Sequence, residues 1–346
     1  MGAGVVRVAL TGADGYIGSR MGHVLLEAGH DVVGFDSGLH RVSSLYHSRD
    51  RRPPVIDIDM RDVGVDHLRG FDAVVHLAEI SNDPVGELNP AVTDHVNHQG
   101  TVRLAEVARS AGVRRFVHMS SCSVYGASGD VDSSEISPTD PLTAYARAKL
   151  QVEIEDGAMA ADDFAPTFLR NATAFGASPN QRFDLVVNDL TALAYLTQRI
   201  SMTSDGTPWR PFVHILDISK ATRCVLAAPE DTVRAQVLNV GSDEQNLQVR
   251  QVAELVAERV PGCELEFGPP GADSRDYRAD FTKIHELLPD FTCDWNVAAG
   301  IDELLTVFRR IDLQEEAKTS RGRIRFAQIR HLIATDQVDD MLRWSW

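Results

Sequence analysis

The sequence predicts an α/β protein built on a doubly wound parallel sheet. Two observations carry that prediction. Residues 5–28 read as a strand, a glycine turn and a helix, and β-branched runs then alternate with helical stretches as far as residue 171. The 346 residues suit one large domain or two modest ones, and a hydrophobic content of 43% is enough to bury a sizeable core.

The first strand, residues 5–10, stops at Thr11-Gly12-Ala13-Asp14-Gly15-Tyr16-Ile17-Gly18, and residues 21–28 follow as helix. Such a turn seats a pyrophosphate: Gly12 makes the bend, Gly15 lets backbone N–H groups approach, and Gly18 lets helix pack on strand. The second strand, residues 31–35, ends at Asp36, 18 residues after Gly18. A carboxylate there accepts both ribose hydroxyls and repels a 2′-phosphate, which favours NAD over NADP, with Arg41 close enough to soften the preference. Further strands are expected at 54–58, leading to Asp59, and at 73–77, leading to Ala78, Glu79, Ile80 and Ser81. A long helix over 90–111 carries Asn97, and a fifth strand at 115–119 ends in Ser120-Ser121-Cys122-Ser123. Ligand is expected at the carboxyl edge of such a sheet.

Composition narrows the functional classes. A net charge of −16 argues against nucleic acid or an anionic membrane as partner, so anionic ligands must be held by local donors. Cys122, Cys224, Cys263 and Cys293 are scattered without metal-ligand spacing, as free thiols in a reducing compartment would be. No metal site is read. No signal peptide and no apolar run near 18 residues is seen, so a cytoplasmic chain is expected.

The stretch 141–152, PLTAYARAKLQV, reads as helix and places Tyr145 and Lys149 on one face, about 5–6 Å apart at Cβ. A phenol titrates near ~10, and a fixed cation beside it favours the phenolate. The pair is therefore a candidate proton-transfer device.

TGADGYIG, Asp36, HLAE, the SSCSVYG run and YARAK together resemble the extended short-chain dehydrogenase/reductase family, in its nucleotide-sugar branch, over residues 5–300. The resemblance implies a Rossmann-type domain over 1–177 and 210–242. It also implies a smaller mixed α/β substrate lobe over 178–209 and 243–346, with a helical C-terminal extension. It implies NAD as cofactor, with Gly12, Gly15, Tyr16, Ile17 and Gly18 at its pyrophosphate, Asp36 at the adenosine ribose, and Asp59 and Met60 at adenine. Leu77, Ala78, Glu79 and Asn97 would stand near its nicotinamide half. Catalysis falls to Ser121, Tyr145 and Lys149. Ser81, Ser121, Ser123, Thr173, Arg210 and Arg275 would hold a nucleoside-diphosphate sugar, and a homodimer through the helices of Asn97 and Tyr145 is the family's habit.

Departures from the family pattern choose among reactions. Family dehydratases follow their Thr with Asp-Glu, whereas Cys122 and Ser123 stand there, so no acid is supplied to eliminate water. Family 3,5-epimerases place a Cys directly before the aliphatic-Tyr pair; Ser123 holds that place and Cys122 is read as core packing. Glu79 replaces a small residue, and its carboxylate is expected near the nicotinamide ribose; His76 is read as a core histidine. The family asparagine falls at Thr173, two residues after Asn171, and the second diphosphate arginine falls at Pro270, with Arg275 as its replacement. Helical periodicity over 299–309 and 323–342 suggests an extension packed on the substrate lobe or a second subunit. The reading is a nucleotide-sugar epimerase working by transient oxidation at a sugar carbon, C4 first; the alternatives are a 4-keto-sugar reductase and a non-catalytic dinucleotide sensor.

Overall fold

The computed structural model describes residues 4–81, 89–270 and 276–345. Its central sheet is formed by β1 (Arg7–Thr11), β2 (Asp31–Asp36), β3 (Val55–Asp57), β4 (Ala73–His76), β5 (Arg115–Ser121), β6 (Ala165–Asn171) and β7 (Gln236–Val240). All seven are parallel, in the order β7-β6-β5-β4-β1-β2-β3. The order reverses between β1 and β4, and that switch point puts the ends Thr11 and His76 side by side at the carboxyl edge.

Both faces of the sheet are apolar because both are covered. On one face Val8, Leu10, Ala73 and Val75 pack against Met21 and Leu25 of helix α1 (Gly18–Glu27). On the other, Ala9, Val74 and Phe116 meet Leu104 and Ala105 of α2 (Thr101–Ser110). The alternation along β1 and β4 is the two-residue period of a strand. Ahead of α2 the chain is α-helical over Pro90–Thr93 and π-helical over Asp94–Gly100, so the expected single helix contains a widened turn centred on Asn97.

Helix α3 (Ala144–Ala158) starts later than its sequence suggested, because Thr143 caps it: its hydroxyl accepts the Ala146 N–H at 3.2 Å. Its buried face carries Lys149, Glu153 and Asp156 among small residues, where an apolar stripe would be ordinary.

A second core lies beyond the sheet. It gathers Val187 of α4 (Val186–Thr197), Val252 and Val256 of α6 (Val249–Arg259), and Ile301, Leu304 and Phe308 of α7 (Val297–Ile311). Helix α5 (Ile215–Ala227) instead returns to the sheet, where Ile218 and Val225 join the first core. A small sheet joins Thr173–Phe175, Trp209–His214 and Asn246–Gln248.

The segment 323–342 departs from its reading twice. Its helix, α8 (Arg325–Ala334), ends before Asp336, whose φ is +52°. It also packs away from the second core: Ile329, Leu332, Val338 and Leu342 bury themselves against Val92, with Leu39 and Ile80 alongside. Those partners belong to the glycine-turn side of the molecule, and the apolar periodicity that made the helix legible did not say which face would receive it.

Candidate active site

A cavity of about 700 Å³ runs along the carboxyl edge of the sheet, and the glycine turn forms one wall. Gly12 takes φ +69°, and a Cβ there would stand 2.8 Å from the Leu77 carbonyl carbon, so the turn is packed directly on the end of β4. Gly18 is constrained differently from its expected role. A Cβ on it would meet the Gly12 carbonyl oxygen at 2.0 Å, so the helix packs on the turn itself. Tyr16 and Ile17 line the same wall, but the Tyr16 hydroxyl is spent, donating to the Gly176 carbonyl at 2.7 Å.

Asp36 ends β2 as read, and its two oxygens accept the N–H groups of Gly38 (2.8 Å) and Asp14 (3.0 Å). Burial outweighs those bonds and raises its carboxyl above the ordinary value. Arg41 is committed to Asp57, which takes both of its terminal nitrogens. Asp59 is gripped by Arg61, with Nε 2.9 Å and Nη2 2.6 Å from its oxygens. Burial alone would raise that carboxyl, but the guanidinium fork and backbone N–H carry it below the usual range. Met60 and Ile58 complete this end of the cavity.

At the other end stand Ser121, Ser123, Tyr145 and Lys149, with Leu77, Ala78 and Glu79 between. The Ser121 hydroxyl accepts the Ser123 N–H at 3.1 Å, and the Ser123 hydroxyl is buried without a hydrogen-bond partner among the described residues. The Lys149 ammonium lies 5.3 Å from the centre of the Tyr145 ring, bonded both to the Glu79 carboxylate and to the Met119 carbonyl. Burial pushes Glu79 up and Lys149 down, and their mutual attraction opposes both shifts. The cation that was to act on Tyr145 alone is thus shared with a carboxylate.

Behind Glu79 lies a histidine pair. His76, expected in the core, is fully buried between Thr11 (2.7 Å) and Thr101 (2.9 Å), and burial lowers it to about 3. It stacks on His118, whose Nε2 is 3.7 Å from Glu79 and whose two ring nitrogens have no hydrogen-bond partner. One oxygen from Glu79 and one nitrogen from each histidine lie within 4.8 Å of one another, but the Lys149 ammonium already holds the carboxylate.

The remaining sequence-predicted residues divide. Ser81, Thr173 and Arg210 line the cavity. Arg210 donates to the Trp209 carbonyl at 2.6 Å and lies over the Tyr277 ring. Arg275 falls outside the described residues. Asn97 does not reach the cavity: it clamps Ile80, accepting its N–H and donating to its carbonyl, each at 2.8 Å. Both ends of its amide are used there, so it positions the loop after Glu79 from behind. Sequence reasoning passed over Asn171, which lines the cavity with a buried, partnerless Oδ1, and Arg182, which is forked on Asp184 and bonds Ser81. Nothing in their spacing marked Arg182. Asn171 was visible and set aside on register alone. Cys122 is buried, its thiol donating to the Arg170 carbonyl, which agrees with a packing role.

The model of the NAD dependent epimerase/dehydratase family matches residues 8–241. The chain belongs to that family. Among its relatives is the UDP-glucose 4-epimerase of Mycolicibacterium smegmatis, 30% identical over 88% of this chain and 99% of the relative. The enzyme of the same name from Corynebacterium glutamicum is 31% identical over 73% of this chain and 80% of its own. Among solved structures, MoeE5 in complex with UDP-glucose and NAD superposes with a TM-score of 0.75 at 29% identity, over 88% of this chain and 99% of that one. An NDP-hexosamine 5,6-dehydratase, TunA, gives 0.78 at 23% identity, over 89% and 100%, a likeness of fold. The parallel sheet with flanking helices is therefore the fold that the family resemblance implied.

Proposed function

We propose that the protein is an NAD-dependent nucleotide-sugar epimerase that oxidises a sugar at C4, lets the keto sugar turn over, and reduces it on the other face. The observation that carries this reading is that Ser121, Tyr145 and Lys149 line one cavity with the glycine turn and Asp36. The residues fit a dinucleotide: Asp36 stands against the turn, accepting the Asp14 N–H, and buried polar atoms of Ser123 and Asn171 with no hydrogen-bond partner among the described residues await a polyhydroxyl ligand.

Bound NAD supplies reversible hydride acceptance. The chain's own part is proton handling and orientation. Tyr145 takes the hydroxyl proton and returns it, Ser121 and Ser123 hold the oxygen on which charge develops, and Lys149 sets the charge beside the phenol. Glu79, which shares the cavity wall with this group, is tied to Lys149 and so is not free to serve as the acid of water elimination. Arg210 suits a diphosphate because a guanidinium donates a planar fork. The cofactor is assigned to 1–177 and 210–242, and the sugar nucleotide to the lobe over 178–209 and 243–346.

A homodimer is proposed through the helical stretch of Asn97 and α3, the helix of Tyr145, where Ile154 is 59% exposed, and sedimentation velocity tests it. Free thiols support a cytoplasmic site, and no helix among the described residues is long and apolar enough to cross a membrane.

The protein is purified without added cofactor, denatured, and its released nucleotide identified. The native preparation then meets a panel of nucleotide sugars, with products resolved by chromatography and absorbance followed at the NADH band. Bound NAD and an epimerised product without net NADH are expected, and Tyr145→Phe should lower turnover about 10²–10⁴-fold while NAD stays bound. An empty site, with turnover only on added NADH or NADPH and a keto sugar, makes the protein a reductase and overturns the reading.

A further inference from the structure

The C-terminal segment lies across the end of the cavity where Asp36 and Asp59 stand. Arg61 donates to the Met341 carbonyl at 2.8 Å, the Trp344 indole donates to the Ser37 carbonyl at 2.6 Å, and Gln328 donates to the Leu39 carbonyl at 3.2 Å. Arg343 pairs with Asp62 at 2.7 Å. Ser37 and Leu39 lie one and three residues after Asp36, and Asp62 lies three after Asp59, so both acidic corners of the site are overlaid. Arg325, Ile329 and Leu342 of this segment are themselves cavity wall.

Charge makes Arg325 stand apart. Asp14, Asp36, Asp59, Glu79 and Asp184 all line the cavity, in a chain of net charge −16, and a dinucleotide brings two more negative charges. Four arginines line the same space. Arg61 is held by Asp59, Arg182 by Asp184, and Arg210 donates to the Trp209 carbonyl. Arg325 is 7% exposed, and its Nη1 is buried with no hydrogen-bond partner among the described residues. A guanidinium has five donors and no acceptor, so a buried, partnerless N–H is costly unless an anion arrives. Burial lowers its pKa to about 10, with Arg182 adding to the shift, and a phosphate would reverse that.

We infer that Arg325 is a phosphate-binding residue of the cofactor site, carried there by a C-terminal segment that closes over the adenosine half of the dinucleotide. The inference rests on the NAD reading above and goes beyond it. The glycine turn offers only N–H groups, and Arg325 supplies the full positive charge that the turn lacks. Asp36 disfavours a 2′-phosphate, which leaves the pyrophosphate as the group addressed.

Equilibrium dialysis tests it with the full chain after exchange of bound nucleotide, using NAD, NADP, ADP-ribose and adenosine as ligands. Arg325→Met should weaken NAD and ADP-ribose about tenfold or more and leave adenosine unchanged, with Arg325→Lys recovering part of the loss. A folded Arg325→Met that binds NAD as the parent does overturns the inference. So does a loss confined to NADP, which would move the residue to the 2′-phosphate, or an equal loss for adenosine, which would make it a packing residue. If Arg325→Met does not fold, Arg325→Lys decides, since unchanged affinity for both phosphate ligands is expected only if the guanidinium fork has no role. A parent protein that binds no dinucleotide sinks the functional reading first.

Discussion

Two buried ion pairs hang from one face of α3, four residues apart, and they are finished to different degrees. Glu153 takes the Nε and Nη2 of Arg170 and the hydroxyl of Ser120; Arg170 donates on to Tyr125, and Tyr125 to Asn239 at 2.7 Å. Asn239 in turn donates to the carbonyls of Ser133 and Asp280. Lys149, one turn earlier, meets Glu79, yet Glu79 Oε1 and both His118 nitrogens make no hydrogen bond among the described residues. A completed network fixes strands, whereas an incomplete one beside a cavity keeps capacity for a ligand and for protons. The difference separates scaffold from site on a single helix.

Breaking the finished pair should have the largest effect on folding. Arg170→Met strands the Glu153 carboxylate and should lower stability by about 3–5 kcal/mol in denaturant titrations, with the folded fraction still turning over. A loss below about 1 kcal/mol would erase the contrast. Glu79→Gln should reverse the pattern, because an amide still bonds the ammonium. Stability moves less, kcat falls about tenfold, and the acid limb of the pH–rate profile shifts to lower pH as Lys149 acts on Tyr145 without a counter-charge. Unchanged kcat, KM and bound NAD would remove Glu79 from the site.

The third ionisable group on that face, Asp156, sharpens the contrast by pH. Both its oxygens are buried and partnerless, and burial, with Glu155 and Glu106 nearby, raises it from 3.8 to about 8. A raised acid contributes stability that is full below its unfolded value and lost as pH rises through its folded one. Wild-type melting temperature should therefore fall from pH 5 to pH 9. Asp156→Asn should flatten that slope and gain roughly 2–4 kcal/mol at pH 8. An identical slope in the variant would show that the helix is not the origin of the pH dependence. The smallest effect belongs to Cys122→Ala, which trims a buried side chain for about 1 kcal/mol and leaves kcat within twofold. A tenfold fall would return the thiol to the chemistry.

Local chemistry was legible in the sequence, and long-range docking was not. Gly12, Asp36, Ser121 and the Tyr145–Lys149 spacing each announce themselves through turn geometry or helical period, and they meet at one edge because parallel strands end there. Glu79 stood out as a departure, but its bond to Lys149 joins positions 70 residues apart, which no local pattern encodes. Asn97 looked like a cofactor contact because it sits on the right helix; the π-helical turn around it aims its amide at Ile80 instead. Arg325 lay beyond the stretch that resembles the family, so nothing marked it, and only the path of the chain brings it to the cavity.

That path also has an order in time. The ribosome completes all seven strands by Val240, some eighty residues before Arg325 is made. A nascent chain that folds its sheet as it emerges would display the groove before it gains the segment that lies over one end of it. Loading during synthesis would precede the bonds to Arg61 and Ser37 that hold residues 325–345 over the end of the groove in the finished molecule.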